Sequence, residues 1–364
     1  MSVALLALIS IPVLPPAGIV PRSEIVSFTP GAVSCADGPV VADGLVKPFT
    51  TVTTRYGPAV SPSIVPSYRF SFAIDAQGRA RTIRRAPIDP SPVYVDTSDL
   101  APALAASRFP AGRPRTGCSV RFAGSVSAME TASMPALYEL ASRPATAGNA
   151  PTLLDRVRPE GSNCSRGPGQ YRRLNLPSFE KLKRPDGSLS WLFLAYDVDE
   201  AGKPGNIRIL GSSGDPGLDR AGQEALAANR YAPGAGYHGC TYHFYNMGGA
   251  DRPAPELGPD APVDTDDQPG CSVDPKSIKW LTDGSAYPRP FSRRRIEGVA
   301  VIGYDTAPWG AVGNVKVLAA EPDEMFGDAA RNAMTNARVD ESDTGRRGCV
   351  QRVRFKLPGD DLPQ

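Results

Sequence analysis

The sequence has almost no excess charge and few long apolar segments, and both absences exclude classes of protein. Its 364 residues carry a net charge of +2, so the overall charge gives no reason to expect binding to nucleic acid or anionic lipid. Short basic clusters at 172–173, 293–295 and 346–347 lie in polar stretches and are typical of solvated surface. No segment after residue 18 is apolar enough to cross a membrane, so we predict no stable membrane span.

The first apolar segment is typical of an export signal. The run from Val3 to Leu14 has the length of a signal-peptide core and is too short for a membrane-spanning helix. Prolines 12, 15 and 16 interrupt a continuing helix. No basic residue precedes the run, and no clean small-x-small cleavage site follows it. We predict a signal peptide-like segment over residues 1–18 and an exported protein.

One pattern of strands, turn and helix recurs along the chain. Residues 191–244 read as two strands joined by a glycine turn, a helix rich in small residues over 216–229, and a last strand. Shifted forward by 108 residues the pattern recurs, with three matched pairs: Tyr196 and Tyr304, Gly202 and Gly310, Asn206 and Asn314. A weaker copy covers residues 75–122. A fixed order of motifs at a period of about 110 to 120 residues indicates three related domains rather than a solenoid of short units.

The order strand, strand, helix, strand predicts an α+β fold with three tandem small domains, each a short antiparallel sheet with one packed helix. We predict the domains at residues 19–124, 161–246 and 270–364. Residues 125–160 are predicted to form a linker with some structure. Residues 247–269 are rich in proline, glycine and aspartate, and we predict an exposed acidic linker because they cannot bury enough apolar surface to fold alone.

Two acidic residues are predicted to begin helices. Asp215 is followed by Pro216, which places an acceptor side chain at the N-cap and proline at the first helical position. Asp99 is a fair N-cap for a helix that continues to Ser107. Both predictions concern the helix that packs on a sheet.

Six cysteines fall two per repeat, at equivalent places. The first of each pair precedes its repeat and the second opens the last strand; the pairs are Cys35 with Cys118, Cys164 with Cys240, and Cys271 with Cys349. Six cysteines allow 15 pairings, and six free thiols are the alternative, but the regular spacing favours one disulfide within each repeat. Each such disulfide would stabilise its domain by roughly 4 kcal/mol in the chain-entropy model. Disulfides also indicate an oxidising compartment.

Several short motifs keep the same order in the repeats. The second repeat carries them at 199–202 (Asp-Glu-Ala-Gly), 212–214 (Ser-Ser-Gly), 218–219 (Leu-Asp) and Phe244; the third carries Tyr287-Pro288, Gly298, Asn314-Val315 and Phe355; the first keeps 75–78 and Phe109-Pro110. This order resembles the C-terminal domain of the TonB family, the periplasmic end of bacterial energy transducers. The likeness covers most of the chain apart from its N-terminal region and linkers, as three tandem divergent copies.

The resemblance implies a non-enzymatic periplasmic protein of the Gram-negative envelope, without a cofactor and linked to TonB-dependent transport. It implies binding of an extended peptide segment of an outer-membrane or periplasmic protein as an added strand at a sheet edge. Carried over, the pairing strands are 119–122, 241–244 and 350–355. Their site residues are Val120, Phe122, Tyr242, Phe244, Gln351, Val353 and Phe355.

Two other functions stay open at this point. The repeats could form a structural protein of the cell envelope that accepts no peptide. An exported metal-dependent hydrolase would use His238 and His243, which together with Cys240 are metal-ligand types close together in sequence. On a strand, however, His238 and Cys240 would share one face and His243 would point to the other, so we predict no metal site. The sequence leaves the oligomeric state and the identity of the partner open.

Overall fold

The chain forms an α+β structure with several small antiparallel sheets and few helices. The computed structural model describes residues 20–57, 67–87, 95–143, 150–165, 167–182, 187–246, 251–258, 261–262, 271, 273–281 and 287–357. The predicted signal peptide-like segment lies outside the described residues, as does most of the predicted acidic linker. Among the helices in the described ranges, none has the length and apolar character that a membrane crossing needs.

The first sheet has seven strands, more than the repeat predicts, because the N-terminal region adds strands to it. They are β1 (Val20–Pro30), β2 (Val33–Cys35), β3 (Gly38–Val40), β4 (Thr51–Gly57), β5 (Tyr68–Ile74), β6 (Ala80–Arg85) and β7 (Arg115–Ala128). β5 alternates buried and exposed residues as predicted, and its buried residues share a core with helix α1 (Leu100–Ala106).

The second sheet contains three strands in the order β10, β9, β12, and a two-stranded sheet of β8 and β11 accompanies it. The strands are β8 (Tyr171–Arg173), β9 (Ser190–Val198), β10 (Pro204–Ser212), β11 (Arg230–Tyr231) and β12 (Tyr237–Asn246). Helix α4 (Pro216–Ala228) begins as predicted, since the Asp215 carboxylate accepts the backbone N–H groups of Gly217 and Leu218. α4 lies so close to the sheet that a Cβ on Gly222 would be 2.4 Å from the side chain of Leu192.

The third sheet repeats this order as β14, β13, β15. Its elements are α5 (Arg289–Ser292), β13 (Gly298–Thr306), β14 (Val312–Glu321), α6 (Glu324–Thr335) and β15 (Arg346–Phe355). The central strand is almost entirely buried. Phe326 and Ala330 of α6 pack into the same core as Ile302 of β13.

The described residues of the region predicted as a linker, 125–143 and 150–160, form part of the packed structure. Residues 125–128 continue β7, and helices α2 (Met134–Ser142) and α3 (Ala150–Val157) follow. Leu137 and Leu140 of α2 are fully buried in a cluster that includes Phe193 of β9. The rings of Tyr138 and Phe193 stack with their centroids 5.2 Å apart. The two helices therefore fill the space between the first and second sheets.

The first and third sheets share one hydrophobic core, although a long stretch of sequence separates them. Ile83 of β6 donates its backbone N–H to the carbonyl of Pro322 at 2.8 Å. The Glu321 carboxylate accepts hydrogen bonds from the Thr82 hydroxyl at 2.7 Å and from Arg81 at 3.0 Å. Edge strand β6 is therefore attached to the end of β14, which the repeat pattern did not predict.

Asp99 differs from its predicted role. It precedes α1, but its side chain does not cap the helix. Its carboxylate instead accepts hydrogen bonds from the backbone N–H of Phe49 and from the guanidinium of Arg294. A buried arginine offers a stronger, charge-assisted partner than the helix N–H groups do.

Candidate strand-binding edges

Each last strand is tied to the chain that precedes its sheet by a disulfide. The disulfides join Cys35 to Cys118 in β7, Cys164 to Cys240 in β12, and Cys271 to Cys349 in β15. These are the pairs that the spacing favours. The second cysteine of each pair is buried, so each disulfide fixes the start of its last strand against the core.

The turn between the first two strands of each repeat has one geometry. Its glycine has a positive φ at all three places: 74° at Gly78, 80° at Gly202 and 78° at Gly310. A Cβ there would lie 2.0–2.2 Å from a backbone carbonyl oxygen, that of Phe109, Tyr231 and Val339 respectively. Each of those residues donates its backbone N–H to the carbonyl of the glycine. Glycine is required here because any side chain would collide with the segment that follows the helix.

A carboxylate holds the start of β12, and an equivalent one holds the start of β15. Asp197 accepts from the Asn206 amide at 2.8 Å and from the Gly239 backbone N–H at 2.9 Å. In the third sheet, Asp305 accepts from Asn314 at 2.7 Å and from Gly348 at 2.9 Å; all the distances repeat within 0.1 Å. These hydrogen bonds lower the pKa of both aspartates, with the asparagine amide as the main cause.

We call each of these arrangements, an aspartate that accepts from an asparagine and from a glycine N–H, an Asp–Asn clamp. The two asparagines, Asn206 and Asn314, have positive φ angles of 49° and 51°. Asparagine tolerates this conformation better than most residues. The shift of 108 residues that aligns Asn206 with Asn314 also aligns Asp197 with Asp305. The sequence does not reveal the role of Asp197, because the local pattern does not show that a backbone N–H group from a distant strand is its donor.

β12 lies at one edge of the second sheet, as the resemblance implies. It pairs with β9 without interruption from Cys240 to Asn246, and no other described strand pairs with it. The predicted site residues Tyr242 and Phe244 point towards the core. Their side chains therefore anchor the strand to the core, and it is the backbone of β12 that is available for pairing at the edge.

β15 lies at the equivalent edge of the third sheet. It pairs with β13 from Cys349 to Phe355. The predicted site residues Gln351, Val353 and Phe355 are on the core-facing side of the strand. The Gln351 amide donates to the backbone carbonyl of Arg352 at 2.9 Å.

The prediction for the first sheet is wrong, because β7 is not an edge strand. Phe122 pairs with Tyr68 of β5 on one side and with Pro30 of β1 on the other. Ser119 is likewise opposite both Ser71 of β5 and Ser34 of β2. Val120 and Phe122 are buried in a central strand. The edge is closed because the N-terminal strands, which have no clear periodicity in the sequence, pair along it.

The closed edge of β7 indicates which backbone groups an added strand would use. Arg121, three residues after Cys118, accepts the backbone N–H of Gly31 at 2.8 Å. The residues three positions after the equivalent cysteines are His243 in β12 and Arg352 in β15. We therefore infer that the backbone N–H and C=O groups of His243 in β12 and of Arg352 in β15 face outward.

The opposite edges, β10 and β14, are irregular. Each pairs with its neighbour through two register shifts. Bulges of this kind twist an edge strand and hinder the addition of a further strand. β12 and β15 are regular over the stretches given above, so they are the better candidates.

A cavity of about 450 Å³ lies beside the end of β15. Residues 253–258 form one wall, and Val299 and Arg354 are part of the other. Its charged lining groups have both signs: Glu256, Glu297, Arg352, Arg354 and Lys356.

The residues of the alternative metal site do not converge. Cys240 is in a disulfide, and both histidines are exposed on β12. The Asp197 carboxylate lies 3.9 Å from the His238 ring. Within the described ranges, no group of three or more potential metal ligands occurs. The structure therefore gives no geometric support to the metal-dependent hydrolase.

The part of the chain that contains the third sheet and its helices matches the model of a known protein family. Residues 283–357 match the family model described as "Gram-negative bacterial TonB protein C-terminal". Protein TonB of Escherichia coli K12 is 37% identical over 73 residues, which are 20% of this chain and 30% of that protein. Protein TonB of Salmonella typhimurium is 31% identical over 117 residues, which are 30% of this chain and 48% of that protein.

A third relative, Protein TonB of Klebsiella pneumoniae, is 30% identical over 77 residues, 21% of this chain and 31% of that protein. The chain thus spans less than half the length of each of these curated relatives. The C-terminal part of the chain, α5 to β15, is a TonB-like C-terminal domain. The matched region includes the β15 edge.

Proposed function

We propose that this chain is a non-enzymatic periplasmic protein of three related TonB-C-like units that binds extended peptide segments of envelope or outer-membrane proteins by strand addition. The units correspond to residues 19–128, 161–246 and 270–357. The accepting edges are β12 and β15. The observation that carries the proposal is the regular, open edge of β15 inside the region that matches the TonB family.

The shared geometry supports the relation between the units. The glycine turn, the disulfide to the last strand and the positive φ before the buried cysteine (61° at Gly117, 65° at Gly239, 70° at Gly348) occur in all three. The Asp–Asn clamp occurs in the second and third only. Position 73, which the repeat aligns with Asp197, is alanine.

The first sheet supports the proposed binding mode. β1 and β2 pair antiparallel along the side of β7 that corresponds to the open edges of β12 and β15. The chain thus contains an intramolecular example of the pairing that a partner peptide would make. Main-chain hydrogen bonds of this type give affinity, and alternate side chains give specificity.

The proposal is tested by measuring binding of the full chain to synthetic peptides that cover the periplasmic tails of outer-membrane receptors. Arg352→Pro and His243→Pro each remove one outward N–H and leave the pairing with β13 or β9 in place. Since one hydrogen bond is worth roughly 1 kcal/mol, and the proline ring adds a steric barrier, we expect at least about a tenfold loss at the edge that binds.

Arg352→Ala and His243→Ala are the matched controls, because they remove the same side chains and keep the backbone donors. Binding that falls equally in the alanine and proline variants would contradict strand addition. Circular dichroism spectra of all four variants establish that the sheets remain folded.

A second candidate is a structural envelope protein that accepts no peptide. The shared core of the first and third sheets favours it, because it joins two units into one body rather than leaving them independent. Absence of binding to every receptor peptide, together with wild-type stability, would select this candidate.

A further inference from the structure

The outer face of the first sheet carries three arginines from distant parts of the sequence, which we call the arginine face: Arg69, Arg84 and Arg121. The register of β5 and β7 places Arg69 directly opposite Arg121. In the next row, Ser71 of β5 is opposite Arg84 of β6. Arg69 and Arg121 are exposed, whereas the residues that alternate with them, such as Phe70 and Val120, face the core.

This arrangement does not serve the stability of the sheet. Like charges directly opposite each other on neighbouring strands are destabilising. In the described part of the chain, neither Arg69 nor Arg121 forms a salt bridge; Arg121 donates to the Ser67 hydroxyl at 3.0 Å. Arg84 lies 3.8 Å from the Glu324 carboxylate at the border of the face, with both side chains partly exposed.

The row that contains Arg84 otherwise consists of uncharged hydroxyl groups. Ser119 lies between Ser71 and Ser34, so one row across four strands consists of Arg84 and three serines. Guanidinium and hydroxyl groups together donate to the oxygen atoms of phosphate, and the planar guanidinium suits phosphate geometry. Two guanidiniums on neighbouring strands can contact one phosphate from both sides.

The shape of the face indicates how the phosphates are presented. Four strands at a spacing of about 4.8 Å make a face roughly 14 Å wide. Small ligands bind in concave sites where donors converge, whereas the cavity at the next row of this sheet is lined by Ala73 and Arg81 and by none of the three arginines. Donors spread over neighbouring strands suit phosphates that are spread over a surface. We infer that the arginine face binds the phosphate groups of an anionic lipid surface.

The net charge of +2 gives no indication of the arginine face. Arg69 and Arg121 are isolated basic residues in the sequence and Arg84 belongs to a separate basic stretch, so only the pairing of β6, β5 and β7 brings the three together. The inference is independent of the proposed peptide edges, which belong to the other two sheets.

The test is cosedimentation of the full chain with phosphatidylglycerol/phosphatidylcholine vesicles and with phosphatidylcholine vesicles. We expect binding to the anionic vesicles alone. Basic residues near an anionic surface each contribute roughly fivefold in affinity, so Arg69→Ser/Arg121→Ser should weaken binding about 25-fold and each single variant about fivefold. Arg172→Ser/Arg173→Ser removes the same charge from exposed residues of β8 and should change binding by less than about twofold.

Equal weakening by the two double variants, or none by either, would overturn the inference, as would equal binding to both vesicle types. Competition with inorganic phosphate distinguishes binding to lipid phosphate groups from binding to free phosphate. Millimolar phosphate should displace little protein from vesicles, and full displacement would show that the face binds free phosphate instead. Thermal melts should show the Arg69→Ser/Arg121→Ser protein at least as stable as the wild type, since a like-charge pair is removed.

Discussion

Arg294 and Asp99 form a buried ion pair between residues that are 195 positions apart in sequence. The Arg294 side chain is 1% exposed, and its Nε donates to Asp99 at 2.6 Å. Its guanidinium also lies over the ring of Phe49, 4.2 Å from the centroid. The pair therefore joins the segment before β13 to the start of α1 and to the chain between β3 and β4.

Replacement of Arg294 should destabilise the protein strongly. Arg294→Ala leaves the Asp99 carboxylate buried without its cation, which typically costs about 3–5 kcal/mol. The control is Arg331→Ala, which removes an exposed partner of Asp328 at 2.9 Å and should cost less than about 1 kcal/mol. Urea unfolding gives both values. Similar losses in the two variants would show that the buried pair does not hold the sheets together.

A side chain at the repeated glycine turn should destabilise the fold far more than a side chain at a glycine that has empty space around it. Gly202 and Gly161 have similar φ angles, 80° and 73°, but a Cβ on Gly161 would meet nothing within 4 Å. Gly161→Ala should therefore show only the backbone cost of roughly 1–2 kcal/mol. Gly202→Ala adds the collision with the Tyr231 carbonyl and should exceed it by at least about 2 kcal/mol. Thermal unfolding of both variants is the measurement, and equal losses would contradict the turn geometry.

Stability should depend on pH through Asp323, the N-cap of α6. Burial raises its pKa to about 7. Neighbouring Glu324 and Asp328 raise the pKa further, while the Met325 N–H and Arg84 oppose the shift. Because the folded pKa lies above the unfolded one, the protonated carboxyl stabilises the fold fully below about pH 4, and this contribution is lost as the pH rises through 7.

Asp323→Asn keeps an N-cap acceptor and removes the titration. We expect the wild type to lose stability relative to this variant between about pH 4 and pH 8, by up to roughly 4 kcal/mol. Urea unfolding of both proteins across this range tests it. A stability difference that stays constant with pH would contradict the raised pKa.

Loss of the Asp305 clamp should loosen the start of β15. Asp305→Ala removes the acceptor of the Asn314 amide and of the Gly348 N–H. We expect a loss of about 1 kcal/mol and faster hydrogen exchange at Gly348. Asn314→Ala combined with Asp305→Ala should be less than additive, because the two side chains share a hydrogen bond. Full additivity would show that the clamp does not act as a unit.

The parts of the fold that depend on local rules were predictable from the sequence. The glycine turns, the start of α4 at Asp215 and the last strands follow from residue types at fixed spacing. The edge position of β12 and β15 followed from the resemblance. Nothing local, however, distinguishes β7 from these strands, because its pairing with β1 joins segments about 100 residues apart in sequence and β1 has no clear alternation.

The contacts between units were not predictable for the same reason. The sequence predicts a linker over 125–160 because the apolar residues there fit no core within one repeat. The described ones instead form a core between two sheets, where Tyr138 stacks on Phe193. Arg294 belongs to a basic cluster that was interpreted as solvated surface. Its neighbours Arg293 and Arg295 are more exposed, so one buried arginine was hidden among similar residues.

Because β1 and β2 already occupy the side of β7, two of the three last strands, β12 and β15, have a side on which no described strand pairs. A molecule with two acceptors could hold two segments of one partner at once, and the second attachment would then be intramolecular. Such avidity would disappear in a chain cut between β12 and β13. Removal of β1 would create a third acceptor, which a second copy of the chain could fill by exchange of its own N-terminal strand.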